Sequence, residues 1–106
     1  IHIQEVIAAA SRQFGEMVKA VVDLERSVMA MGGELHADGE AALLEDGSAQ
    51  KHLWGINLYP GKPLEEWVEF DSMINIRPSQ DNRSRGVEDP EIRRTALELL
   101  RKLILR

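Results

Sequence analysis

The segment 17–31 constrains the fold more than any other part of the chain, because its apolar residues fit two different patterns. Together with Phe14 they recur every three or four residues, which would make one long helix through Met31. They also alternate with polar residues, as the residues of a half-buried strand do. Gly15 would interrupt a long helix, and Gly32-Gly33 is a typical two-residue hairpin turn. We therefore predict a strand over 17–31.

Two helices are predicted at the ends of the chain. Residues 4–13 include three consecutive alanines, the best helix formers, and Gly15 follows as a C-terminal cap. Near the other end, Asp89-Pro90-Glu91 combines a capping residue, a proline at the first helical position and an acid in the first turn. The apolar residues that follow have helical spacing: Ile92, Ala96, Leu99, Leu100 and Leu103.

Three more strands are predicted between the helices. The return strand of the hairpin would cover 34–45, a third strand 52–59 and a fourth 66–77. Pro60 and Pro63 place a turn between the last two. The pattern predicts an α+β fold in two layers, with a helix, a four-stranded antiparallel meander sheet and a C-terminal helix. The helices would cover the one apolar face of the sheet.

The composition excludes several classes of protein. The chain has 106 residues, enough for a single domain over 1–106, and lacks the cysteines that disulfides and thiol chemistry require. Its net charge of −5 disfavours nucleic-acid binding, and no apolar run suits a membrane span, so we expect a cytoplasmic protein. The charge is uneven. Residues 1–50 have three basic and nine acidic residues, whereas 51–106 have ten and nine.

Several ordered segments of the chain resemble a family of small prokaryotic proteins of unknown function. The similar segments are Asp23-Leu24-Glu25-Arg26, Gly32-Gly33-Glu34-Leu35-His36-Ala37-Asp38, Leu44-Glu45-Asp46-Gly47-Ser48, Trp54-Gly55, Asn75-Ile76-Arg77-Pro78 and Asn82-Arg83-Ser84. The resemblance covers about residues 14–94. In that family a cysteine commonly follows the His-Ala-Asp segment, where this chain has Gly39. The resemblance implies membership of the family and no mechanism.

The predicted sheet has a polar face that brings acidic residues together. With a turn at Gly32-Gly33, Glu25 would lie opposite Glu40. His36 and Asp38 would be neighbours on that face and could hold a divalent cation. The crowded carboxylates could also act as acid and base. The alternative is an ordinary solvated face of an antiparallel sheet. The same alternation places Asn57, Tyr59, Glu69, Asp71 and Trp67 on this face.

A second group of candidate residues lies near the predicted end of the fourth strand. Asn75, Arg77, Asn82 and Arg83 could bind a carboxylate or phosphate, since guanidinium groups bind such anions through two hydrogen bonds. The alternative is structural, with Arg77 paired to acids of the sheet and Asn82 in a turn.

Two features predict self-association. Trp67 on a polar face is typical of an interface or a ligand platform. Leu97 and Ile104 widen the apolar stripe of the C-terminal helix beyond what one helix contact requires. A symmetric homodimer on either surface would bury these side chains.

Three functional hypotheses follow. The first is a non-enzymatic binding or interaction module that acts as a homodimer, without a resident cofactor. The second is a metal-assisted hydrolase or nuclease that uses Glu25, His36, Asp38 and Glu40. The third is a protein that binds an anionic ligand through the Arg/Asn loop.

Overall fold

The computed structural model describes residues 1–63 and 66–105. Three helices and four strands follow one another along the chain as α1 (Ile3–Gln13), β1 (Val18–Asp23), β2 (Val28–Met31), α2 (His36–Glu45), β3 (Leu53–Leu58), β4 (Val68–Glu69) and α3 (Pro90–Leu103). The α+β class, the antiparallel four-stranded sheet and both terminal helices are confirmed. No helix among the described residues is both long enough and apolar enough to cross a membrane.

The strand order is β2-β1-β3-β4, which differs from that of a meander. β1 lies in the middle and pairs with β2 on one side and β3 on the other. The chain passes through α2 before β3 returns to the free edge of β1. β4 pairs with β3 over two residues, through Asn57 with Glu69 and Leu58 with Val68.

The predicted single strand over 17–31 is wrong in its middle, because the chain turns back at 24–27. The carboxylate of Asp23 accepts hydrogen bonds from the backbone N–H groups of Glu25 (2.9 Å) and Arg26 (3.0 Å). Ser27 closes the turn with a left-handed backbone, φ 56°. An Asp whose side chain binds the backbone two residues on is a common start for a turn. The hairpin turn is therefore not at Gly32-Gly33.

The predicted return strand over 34–45 is wrong, because this segment forms α2. Its alanines, leucines and glutamates favour a helix, and Asp38 accepts a hydrogen bond from the Leu35 N–H at 3.0 Å. Gly39 allows the helix to approach the sheet closely. A Cβ atom at this position would lie 3.0 Å from Cγ2 of Val21.

Both faces of the sheet are covered, so α2 adds a layer to the predicted two. On one face, Val18, Ala20 and Val22 pack in the main core with side chains of α1 and α3. On the other face, Val21 packs with Leu43 of α2 and with Leu53. Successive apolar side chains of β1 therefore face opposite sides of the sheet, and both sides have apolar surroundings.

The fourth strand is much shorter than the predicted 66–77. After Glu69 the chain leaves the edge of β3 and enters a loop with short helical turns at Met73–Asn75 and Pro78–Gln80. The backbone N–H of Ser72 donates to the carbonyl of Arg85 at 2.9 Å, so distant parts of this loop are tied together.

Candidate functional site

The predicted cluster of His36 with three carboxylates does not assemble as a sheet face. Glu25 is exposed in the β1–β2 turn, whereas His36, Asp38 and Glu40 belong to α2. Asp38 caps the helix, and Glu40 accepts only a long contact of 3.5 Å from Gln50. Among the residues that the structure describes, no three His, Cys, Asp or Glu side chains are grouped to hold a metal ion.

The asparagines of the Arg/Asn loop bind the protein's own backbone. Asn75 is fully buried and makes hydrogen bonds to Gly55 and Arg85. The Asn82 amide nitrogen donates to the carbonyl oxygens of Asn75 (2.7 Å) and Gly86 (2.8 Å), and its oxygen accepts from the Glu88 N–H at 2.8 Å. These contacts use both ends of each amide, so the geometry gives the asparagines a structural role.

Arg77 is also buried, and its guanidinium donates to the carbonyl oxygens of Gln50 and, at 2.6 Å, of Leu53. It stacks 4.2 Å from the centre of the Trp54 ring, and its burial lowers its pKa. Arg83 is exposed, and its backbone N–H donates to Glu88 at 2.8 Å. The predicted anion clamp is therefore not assembled, because Arg77 points into the protein.

The alternation predicts Trp67 on the polar face of the sheet, but Trp67 does not lie there. It is 5% exposed and packs in the main core. Trp67 precedes β4, so the alternation of the two paired residues does not extend to it. A dimer interface or ligand platform on Trp67 is therefore excluded.

A different group of polar side chains meets where α2 begins. Lys19, Asn57 and Glu69 are direct neighbours across β1, β3 and β4, so their side chains lie on the same face of the sheet. Tyr59 lies two residues beyond Asn57 on that face. His36, the first residue of α2, covers this group. We call His36, Asn57, Tyr59 and Glu69 the acceptor site.

Asn57 has a fixed orientation in the acceptor site. Its amide nitrogen donates to the Glu69 carboxylate at 2.8 Å and lies 3.4 Å from the carbonyl oxygen of Asp71. Both partners only accept hydrogen bonds, so the nitrogen has to face them and Oδ1 has to face away. Asn57 is 5% exposed, and among the described residues Oδ1 has no hydrogen-bond donor.

Nε2 of His36 lies 2.8 Å from the carbonyl oxygen of Ile56, and the Asn57 side chain is the second polar neighbour of the ring. A carbonyl oxygen accepts only, so Nε2 carries the proton. Burial lowers the pKa of His36; the Ile56 carbonyl and the Asn57 amide oppose this effect, and the charge of Lys19 adds to it. The ring is therefore neutral at pH 7, and Nδ1 keeps a lone pair.

Tyr59 and Glu69 form the outer part of the acceptor site. The Tyr59 hydroxyl donates to the Glu69 carboxylate at 3.2 Å. Burial raises the pKa of Tyr59, and the negative charge of Glu69 raises it further. Beside them, Asp71 forms an ion pair with Arg85 at 2.6 Å. Asn57 and Tyr59 thus both direct their donors to Glu69, and Oδ1 of Asn57 is left as an acceptor.

The alternation along β3 correctly places Asn57 and Tyr59 on one face, with Glu69 opposite Asn57. It gives no reason to single out Asn57, because the lack of a donor for its oxygen depends on where α2 places His36. The spacing of residues along the sequence does not show that a buried asparagine and a histidine lie next to each other in space.

The fold and the acceptor site define a small α+β domain with helices on both faces of an antiparallel sheet and a polar site at the start of α2. The chain belongs to the family described as "Protein of unknown function (DUF5674)", whose model matches residues 1–103. This match confirms the predicted membership of a family of unknown function. No curated protein matches the chain, and no solved structure does.

Proposed function

We propose that the protein is a small binding module whose acceptor site takes a ligand group rich in hydrogen-bond donors, such as a primary ammonium group. The observation that supports this most directly is the buried Oδ1 of Asn57, which has no donor among the described residues. A buried acceptor without a partner costs about 1–3 kcal/mol, which a ligand donor would recover.

The surrounding atoms favour the same ligand chemistry. The neutral His36 has a single N–H, and Ile56 uses it, so Nδ1 can only accept. The Glu69 carboxylate adds a negative charge at the exposed side of the site. The charge of Lys19 also reaches His36, but its ammonium group lies over the Phe14 ring, 5.4 Å from the ring centre. An ammonium group has three donors and no acceptor, and would match this set.

Access to the site is from the side of Glu69, which is exposed, whereas His36 and Asn57 form a buried floor. His36 belongs to the first turn of α2, so this turn is part of the floor, and it follows Gly32, whose backbone is left-handed with φ 100°. Binding would therefore shift the first turn of α2 relative to the sheet.

The test is an NMR titration of the ¹⁵N-labelled protein with small primary amines, and with carboxylates of the same size as controls. We expect saturable shifts of the Asn57 side-chain amide and of the first turn of α2 with the amines alone. Asn57→Leu should abolish the shifts in α2, whereas Gln50→Leu, which removes an exposed amide, should leave them unchanged. Equal shifts with carboxylates, or none with any amine, would contradict the proposal.

The cytoplasmic location and the homodimer predicted from the sequence stay predictions within this proposal. Metal-assisted hydrolysis and anion binding gain no support from the geometry, because the residues suggested for them cap α2, lie in a turn or bind the backbone.

A further inference from the structure

A groove of about 460 Å³ runs along α3, on the side of the molecule away from α2. Phe70 and Leu97 contribute apolar side chains to it, and Arg93 and Arg101 line it with positive charge. Arg94 and Glu98 also line it, as an ion pair. Leu97 is 37% exposed, which is high for a leucine in a helix that packs on a sheet. The groove is therefore an apolar surface between two cationic groups.

The two cationic groups have no acidic partner among the described residues. Arg94, which also lines the groove, pairs with Glu91 and Glu98. Arg93 and Arg101 form no ion pair with any described residue. They are eight positions apart on one helix, which corresponds to about 12 Å.

The outer face of α2 has the complementary pattern. Asp38, Ala41, Ala42 and Glu45 are all exposed and lie on one side of the helix, at spacings of three, four and seven residues. The two acids are about 10.5 Å apart along the axis. The opposite side of α2, which includes Leu43, is buried against the sheet. Two alanines between two acids thus form an exposed surface that another helix can approach closely.

The acidic half of the chain and its basic half are not paired with each other inside one copy. The ion pairs formed by described residues join Arg26 to Asp46 within 1–50, and Arg85 and Arg94 to acids within 51–105. None of them crosses between the halves. The excess acid on α2 and the free arginines on α3 are therefore available to a second molecule.

We infer that the protein associates with a second copy of itself head to tail, with the α2 outer face of one copy seated in the α3 groove of the other. Leu97 would lie against Ala41 and Ala42, and Arg93 and Arg101 would face Asp38 and Glu45. Because α2 and α3 cover opposite faces of the sheet, each copy offers one surface of each kind, and the contact is not two-fold symmetric.

The experiment measures mass by sedimentation and light scattering across micromolar to millimolar concentration. The unmodified protein should exceed 11.9 kDa as concentration rises, and the effect should weaken at high salt. Leu97→Asp places an acid in the groove, and Ala41→Glu blocks the alanine surface, so each variant alone should stay monomeric. Ile7→Asp and Ser11→Glu, at exposed positions of α1, are the matched controls and should associate as the unmodified protein does.

Mixing the two monomeric variants gives the decisive measurement. The first keeps an intact α2 face and the second an intact α3 groove, so an equimolar mixture should form a 1:1 complex that does not grow further. This result also shows that both variants are folded. A monomer at every concentration, or association that both variants leave intact, would overturn the inference. So would a mixture without a complex, or self-association of Ala41→Glu alone, which a symmetric α3–α3 dimer predicts.

Discussion

The side-chain amide of Asn75 binds both backbone groups of Gly55: its Oδ1 lies 2.8 Å from the Gly55 nitrogen and its Nδ2 lies 3.0 Å from the Gly55 oxygen. A side-chain amide has the same donor and acceptor as a peptide group. Asn75 therefore replaces a neighbouring strand at a point of the β3 edge that β4 does not reach. Arg77 does the same for the Leu53 carbonyl oxygen.

Asn75→Ala should strongly destabilise the protein. The change leaves the buried N–H and C=O of Gly55 without partners, and each such group costs about 1–3 kcal/mol. We expect the free energy of unfolding, measured with urea, to fall by about 3 kcal/mol or more. Gln80→Ala, which removes an exposed amide bonded to Lys51, should change it by less than about 0.5 kcal/mol. Equal effects of the two changes would contradict the role of Asn75.

Gly55→Ala should also destabilise the fold, for a steric reason. A Cβ atom at this position would lie 2.6 Å from Cβ and Oγ of Ser72, closer than side chains pack. Overpacking of this kind costs about 1–3 kcal/mol. Adding Ser72→Gly to this variant should recover part of the loss, which a double-mutant cycle in urea unfolding measures. Independent, additive effects would show that the two residues are not in contact.

The parts of the fold that local signals specify could be predicted from the sequence. α3 begins at Pro90, where Asp89 accepts a hydrogen bond from the Glu91 N–H at 2.9 Å, as the Asp-Pro-Glu pattern predicts. α1 ends just before Gly15, whose φ is 86°. β3 likewise lies within the predicted 52–59. In each case the deciding interaction is within a few residues along the chain.

The parts that the sequence did not reveal depend on contacts between distant residues. Residues 34–45 alternate well enough for a strand, and the fit of Gly39 against Val21 decides how closely the helix packs there. The turn at 24–27 depends on Asp23, whose carboxylate is also held by Ser48, twenty-five residues away. The acceptor site needs α2 in place before Asn57 and His36 meet. The spacing and the alternation of residues along the chain contain no information on contacts between residues that are distant in sequence.

Ser48→Ala should weaken the junction between the β1–β2 turn and the loop after α2. The Ser48 hydroxyl donates to the fully buried Asp23 at 2.5 Å and accepts from Arg26 at 2.8 Å. Burial raises the pKa of Asp23, but hydrogen bonds from Ser48 and from two backbone N–H groups outweigh it, so the pKa is lowered. A hydrogen bond to a charged group contributes about 1.5–3 kcal/mol, and we expect that loss at pH 7.

The same variant should change acid stability. Because the pKa of folded Asp23 is lowered, its contribution is present above the unfolded value of about 3.9 and is lost as pH falls through the folded value. Without Ser48 the folded value rises, so the stability difference from the unmodified protein should shrink at low pH. Urea unfolding at pH 7 and pH 3 measures this. Ser79→Ala, at an exposed serine, should show no difference at either pH.

The pH dependence of His36 tests the acceptor site itself. Since the pKa of His36 is lowered in the folded protein, its contribution to stability is present above the unfolded value of about 6.5 and is lost as pH falls through the folded value. His36→Gln can keep a donor to the Ile56 carbonyl but does not titrate. Its free energy of unfolding should therefore fall less than that of the unmodified protein between pH 7.5 and 5.

An NMR titration of the His36 ring gives the same information directly and links it to binding. We expect a pKa below 6.5, with Nε2 protonated throughout. Protonation of His36 removes the Nδ1 lone pair and adds a positive charge next to the site. Both effects oppose a ligand ammonium group, so amine affinity should weaken as pH falls through the His36 pKa. An affinity that stays constant across this range, in a protein whose His36 does titrate, would show that the amine binds elsewhere.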